Sequence, residues 1–296
     1  MHNYLLYYLI ILPISYLPYR ALYLLSDFLY LVLYRIAGYR KTVVHNNLVN
    51  SFPEKSEKEI LDIEQEFFRH FCDLILESIK AFTINENEAQ ERFKTRNPEL
   101  PNKYFEQGRN IAIVGGHYGN WELYAITVDS QIRHRTIALY KTMTNKFFDT
   151  RMTKSRSKYG LTLLSLGEYR VKGIESYQND ITATIFGSDQ SPRKLQKAYW
   201  MKFLNQDTAV QFGLEKFARK YNTPVLYGDI HRLKRGHFEI EYHLVCEDPL
   251  ELPEGALTEK YTKMLEEIVR ERPEYWLWSH KRWKLKIPAE EPIPAN

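Results

Sequence analysis

The sequence predicts an α/β fold: a mostly parallel central sheet flanked by helices, preceded by an apolar helical segment at the N-terminus. Three observations predict it. From residue 110 onward, short apolar runs alternate with longer stretches of helical period, the pattern that puts strands in one layer and helices over it. Apolar residues recur at helical spacing at Ile60, Ile63, Phe67, Phe71, Leu74, Ile75 and Ile79. The stretch YLLYYLIILPISYLPYRALYLLSDFLYLVLYRIAGYRK is apolar and tyrosine-rich in a way that nothing after it matches.

That first stretch is broken by Pro13, Pro18, Arg20 and Asp27. A spanning helix wants roughly 20 unbroken apolar residues, and the uncharged run 3–19 is short and holds two prolines. It is also a poor secretory signal, with no basic region before it and no small-residue cleavage site after it. Tyrosine favours the headgroup region, where its ring is buried and its hydroxyl stays wet. Residues 3–38 are therefore expected to rest on or in a membrane, with Arg35, Arg40 and Lys41 marking the cytoplasmic side. The competing reading is an apolar helix pair packed on the domain. The domain boundary is placed at residue 40, leaving 41–296 as the catalytic domain.

The remaining elements follow in order. NNLVNSFPEKSEKE is polar and turn-like, and Ser56 with Glu59 forms a capping box. The helix it opens runs to about Phe82. IAIVGG is a buried strand closed by glycines, and NWELYAITV a helix. RTIALY is a strand, residues 144–159 a helix, LTLLSL a strand, residues 168–178 a helix and ITATIFG a strand. WMKFLN is a strand. DTAVQFGLEKFARKYN reads as a helix with Val210, Leu214, Phe217 and Ala218 on one face. TPVLYGDI and HFEIEYHLV are strands, and TEKYTKMLEEIVRER is a helix.

Composition excludes several functions. A net charge of +4 is too weak to argue for nucleic acid, and no motif of that class is present. It suits an anionic membrane surface. Cys72 and Cys246 lie far apart without metal spacing, so a reducing compartment and two buried thiols are expected. No HExxH or comparable ligand set points to a metal. GSDQS at 187–191 is not the G-x-S-x-G of a serine hydrolase.

Residues 115–122 read GGHYGNWE. On a regular helix, positions five apart diverge by about 140°. His117 and Glu122 can meet only with the histidine in a loop and the glutamate in the first helical turn. Gly115 and Gly116 permit a tight exit from the strand, Gly119 permits unusual backbone angles, and Asn120 is a helix cap. A carboxylate holding one imidazole N–H leaves the other nitrogen free as a base. The pattern is a His–acid dyad without a protein nucleophile.

This stretch resembles the H-x-x-x-x-D/E motif of glycerolipid-type acyltransferases. In the form GHxGNWE it resembles the bacterial lipid A biosynthesis acyltransferases, the late lauroyl/myristoyl transferases. NNLVNSFPEKS, GSDQSP, YWMKFLNQDTAVQFGLEKFARKYNTPV and ERPEYWLWSHKRWK are similar to further segments of that family, in the same order. Two departures are a missing glycine in FLNQDTAV and the continuation SPRKLQK after the DQ pair. The resemblance implies transfer of an acyl chain from acyl carrier protein or coenzyme A to a hydroxyl of a lipid A precursor, or of another lipid. His117 would take the hydroxyl proton and Glu122 would orient it, with no cofactor and no covalent enzyme intermediate. Arg156, four residues before Gly160, would bind phosphate; Lys141 and Arg151 are lesser cationic candidates. Asp189 and Gln190 would line the site or brace an oxyanion loop, beside Gly116 and Asn120. The tryptophans and cations of WLWSHKRWKLK suit a lipid interface, or Trp276 and Trp278 pack in the core while His280 and Arg282 serve structure. The implied location is the inner membrane, facing the cytoplasm. A non-enzymatic lipid-binding relative and a thioesterase-like hydrolase are the competing classes.

Overall fold

The strands are β1 (Phe93–Thr95), β2 (Ile111–Gly115), β3 (Arg135–Tyr140), β4 (Thr162–Ser165), β5 (Thr182–Gly187), β6 (Ala198–Phe203), β7 (Gln206–Gln211), β8 (Val225–Lys234) and β9 (His237–Cys246) in a computed structural model that describes residues 2–192 and 198–287. Most of SPRKLQK, residues 193–197, lies outside the described residues. Seven strands form one sheet in the order β1-β9-β8-β2-β5-β3-β4. β8, β2, β5, β3 and β4 pair in parallel, while β9 runs antiparallel to β8 and carries β1 parallel to itself. The expected mostly parallel sheet with flanking helices is present. β2 is buried from Ile111 through Val114, which is why it reads as an unbroken apolar run rather than an alternating one.

One expected helix is too long. Residues 206–211 form β7, which pairs antiparallel with β6 in a separate two-stranded ribbon. Leu204 and Asn205 both take positive φ (50° and 61°), the geometry of a tight hairpin turn whose twist matches its strands. Val210 is thus a buried strand residue. The helix itself covers Gly213–Tyr221 and buries Leu214, Phe217 and Ala218 as expected. Two other helices are shorter than expected, at Lys146–Arg156 and Leu166–Lys172. Helices Glu86–Arg92 and Glu99–Glu106, with β1 between them, were not foreseen.

Helix Glu57–Lys80 begins at the expected capping box: Ser56 and Glu59 bond reciprocally. Its buried face includes Phe67 and Phe68 in the core, and also the polar His70, Asp73 and Glu77. Asp73 and Glu77 receive the N-terminal segment. Helix Tyr19–Tyr30 packs there through Leu22, Ser26 and Tyr30, spaced four apart on one face. Ser26 Oγ donates to Asp73 (2.7 Å), Tyr23 Oη to Glu77 (2.9 Å), and Lys80 Nζ to the Leu17 carbonyl (3.0 Å). The opposite face remains apolar and open, with Leu24 72% and Phe28 62% exposed. Leu9, Tyr16 and Ile36 are exposed as well. Among the described residues no single helix is long and apolar enough to cross a membrane; Tyr19–Ile36 and Lys41–Ser51 pass that test only as a pair bent by 83°. Both cysteines are buried and free.

The capping box sets the start of the helix on which the N-terminal segment rests. Ser56→Ala is expected to lower stability by about 1 kcal/mol, read as a shift in the midpoint of urea unfolding.

Candidate active site

β2 and β5 are neighbours in parallel register, Gly115 opposite Gly187. Two residues beyond each glycine come His117 and Asp189, so the two side chains emerge side by side. The ladder is extended by one bond, from Ser188 N to the Gly115 carbonyl (3.1 Å). The chain leaves β2 toward β3 and leaves β5 toward β8, in opposite directions along the sheet. A crevice beyond the carboxyl ends of parallel strands is where such sheets place their sites.

Asp189 Oδ1 lies 2.6 Å from His117 Nδ1, and Oδ2 accepts from the His117 backbone N–H (2.8 Å) and from Trp276 Nε1 (2.9 Å). A carboxylate only accepts, so the ring proton sits on Nδ1 and the lone pair on Nε2. Gln190 Nε2 is 3.2 Å from that nitrogen and donates to it. The His117 side chain is 27% exposed and that of Asp189 is 3% exposed, so the imidazole alone can be reached from outside. Burial by itself would depress the imidazole pKa, but the charge and hydrogen bond of Asp189 outweigh it and hold it above the usual 6.5. Burial pushes the Asp189 carboxyl the other way, yet His117 and its three N–H donors pull it down to about 2.

Glycine is required at two points in this loop. A Cβ on Gly116 would stand 3.3 Å from Asp189 Oδ2, crowding the carboxylate. Gly119 has φ +59°, and a Cβ there would meet Ile230 at 2.6 Å.

Glu122 is not the partner of His117. It lies in the first turn of helix Trp121–Gln131 and accepts two bonds from Arg156, from Nε at 2.8 Å and from Nη2 at 2.5 Å. The planar guanidinium matches both carboxylate oxygens, and the imidazole nitrogen expected for Glu122 is already taken by Asp189. Burial would lower the Arg156 pKa, but Glu122 more than offsets it, so the cation is secure. Two nitrogens of the fork expected to bind phosphate thus hold Glu122. The Trp121 ring stands edge-on to His117 with centroids 5.1 Å apart.

Asn120 caps its helix, accepting from Leu123 N (2.8 Å), while its amide donates to Glu77 (2.6 Å). It is fully buried with both ends of its amide engaged within the protein. Lys141 is exposed in the loop after β3 and makes no hydrogen bond or ion pair among the described residues. Arg151 lies over Tyr7, Tyr8 and Phe147 and donates to Tyr8 Oη (2.6 Å), so it braces the N-terminal segment.

The segment after helix Ala256–Glu271 forms the back of the site. Tyr118 and Trp276 form an antiparallel bridge, Gly119 N donates to Tyr275 O (3.0 Å), and Leu277 N donates to His117 O (3.1 Å). Trp276 and Trp278 are buried, which overturns a lipid-interface role for them. His280 Nε2 accepts from Ser191 N (3.2 Å), and buried Arg282 donates to Ala209 O (2.7 Å). Sequence reasoning missed Asp189 as the partner of His117. The trace it left is two apolar runs, IAIVG and TATIFG, each with a chemical side chain two places after the glycine. It also missed His70 and Glu77, whose helix gave only an apolar pattern. Among the described residues no group of three side chains could hold a metal.

The sequence model of the bacterial lipid A biosynthesis acyltransferases matches residues 2–285. The chain is 20% identical over 257 residues to the lipid A biosynthesis palmitoleoyltransferase of Escherichia coli strain K12, covering 86% of this chain and 82% of that protein. It is similar to the lipid A biosynthesis acyltransferase of Shigella flexneri at the same identity and coverage.

Asp189 is what raises the His117 pKa. In an NMR titration, the His117 ring is expected to titrate above 6.5 in the native protein. Asp189→Asn removes the anion and leaves the burial, so the pKa should fall.

Proposed function

Since the chain belongs to the bacterial lipid A biosynthesis acyltransferase family, and is thereby an acyltransferase, we propose that it moves a fatty acyl chain from a thioester to a hydroxyl of a lipid A precursor. The thioester is carried by acyl carrier protein or coenzyme A. One observation carries the mechanism: a partly exposed imidazole whose Nδ1–H is held by a buried aspartate, leaving the lone pair on Nε2.

His117 Nε2 takes the proton of the acceptor hydroxyl as that oxygen attacks the thioester carbonyl. The charge that appears on the imidazole is stabilised by Asp189, and the charge on the carbonyl oxygen needs a cation or N–H donors. Arg156 is the cation whose field reaches the imidazole, and Glu122 holds it in place. When the tetrahedral intermediate collapses, the C–S bond breaks and the proton on Nε2 goes to the departing thiolate. The products are an ester and a free thiol, so no enzyme nucleophile and no cofactor are needed. The Gln190 amide occupies the direction from which the hydroxyl must approach Nε2, and it yields that place to substrate.

Residues 3–38 rest on the cytoplasmic face of the inner membrane, with residues 41–296 as the catalytic domain. Support comes from the exposed apolar side chains Leu24, Phe28 and Leu31 of this segment.

His117→Ala is expected to lower transfer about 10²–10⁴-fold, and Asp189→Asn about as much. The acid limb of kcat/KM should lie above pH 6.5 and move to lower pH in Asp189→Asn. Lipid mass spectrometry on cells lacking the gene decides the acceptor. Lipid A short of one chain, restored by intact protein but not by His117→Ala, supports the proposal. An unchanged lipid A with a chain missing from an aminolipid or another glycolipid overturns the acceptor. Release of free fatty acid at full rate without any acceptor overturns transfer itself.

Replacing Leu24 and Phe28 together by glutamate should abolish co-sedimentation with vesicles of anionic phospholipid. Unaltered binding would rule out this face as the membrane contact.

A further inference from the structure

The turn that follows His117 is held from below by one helix. Gly119 offers a carbonyl and Asn120 a side-chain amide. Helix Glu57–Lys80 meets them with one donor and one acceptor: His70 Nε2 lies 3.1 Å from the Gly119 carbonyl, and Glu77 Oε2 accepts from Asn120 Nδ2 at 2.6 Å. Seven residues separate His70 from Glu77, about two helical turns, so both stand on one face. All three side chains are buried, and burial, with Arg232 adding to it, lowers the His70 pKa to about 3, so it meets the carbonyl as a neutral donor.

Glu77 has a second oxygen. It accepts from Tyr23 Oη at 2.9 Å, on helix Tyr19–Tyr30. One turn along, Ser26 of the same helix bonds Asp73. A continuous hydrogen-bonded path therefore runs from the N-terminal helix through Glu77 to Asn120, three residues from His117. Burial and the neighbouring Asp73 push the Glu77 carboxyl up to about 7, while the bonds from Tyr23 and Asn120, on two different elements, pull it down and occupy one oxygen each.

We propose that Glu77 is a positioning residue, which ties the loop carrying His117 to Tyr23 so that the seating of the N-terminal helix sets the rate of acyl transfer. The proposal rests on the reading that His117 is the base of that transfer. It makes helix Tyr19–Tyr30 a support of the His117 loop in addition to any contact it makes with lipid.

The polarity of the Glu77–Asn120 bond permits a test by exchange. Glu77→Gln turns one of the two acceptor oxygens into a donor, so that side chain can no longer accept from both Asn120 and Tyr23, and Asn120→Asp sets a carboxylate against Glu77. In the double variant the glutamine amide donates to the aspartate, while its oxygen still accepts from Tyr23 and the aspartate still caps Leu123. Asn120→Asp alone is expected to lose about 10–100-fold in kcat, with KM for the acyl thioester unchanged. The double variant should regain kcat, and Tyr23→Phe should lower kcat without the others. An Asn120→Asp variant that keeps the native kcat would overturn the proposal. So would a double variant that recovers its melting temperature but not its kcat, which would reduce the contact to stability alone. Should a single variant fail to fold, the double variant and Tyr23→Phe still decide. His117→Ala is assayed alongside: undiminished transfer there rejects the base assignment itself, independently of Glu77.

Discussion

The site depends on one buried carboxylate. Asp189 collects the His117 ring N–H, the His117 backbone N–H and the Trp276 indole N–H. These donors come from the end of β2 and from the segment after the last described helix, while the carboxylate itself follows β5. Three parts of the chain thus converge on two oxygen atoms. An anion in this position is tolerable only with its acceptors filled, so the donors are as necessary to Asp189 as it is to them. The consequence is a single tautomer of His117 in a single orientation, which a base needs before it meets substrate.

Much of this was legible in the sequence. β2 and β5 were plain because buried parallel strands are apolar along their length, and the long helix was plain because Ser56 and Glu59 announced it. The loop position of His117 and the capping by Asn120 also followed, since the five-residue spacing and the glycines left little choice. The identity of the carboxylate did not follow. His117 and Asp189 are 72 residues apart and meet only because two strands pair in register. A local carboxylate was available in Glu122, and local reasoning chose it. Its true partner, Arg156, is 34 residues away on another helix. The β6–β7 ribbon escaped for a different reason. Its turn residues, Leu204 and Asn205, adopt positive φ without a glycine, and the apolar residues after them fit helical spacing by accident.

The N-terminal segment reconciles two readings that the sequence set against each other. Its one face packs on helix Glu57–Lys80, as a soluble helix pair would, and its other face stays apolar and open. Period alone could not separate these, because tyrosine and leucine serve both surfaces. What distinguishes the faces is the polar minority: Ser26 and Tyr23 point inward to Asp73 and Glu77.

The strap formed by residues 275–278 has a consequence for how the molecule comes into being. It supplies the back wall of the His117 loop and one of the three donors on Asp189. A ribosome makes these residues long after it has made β2, β5 and the apolar N-terminal helices. A growing chain can therefore seat its N-terminal segment while its histidine still lacks a fixed orientation. The donor set of Asp189 is completed only once Trp276 has been made, so a stalled or shortened chain ending before it carries the full loop without its back wall.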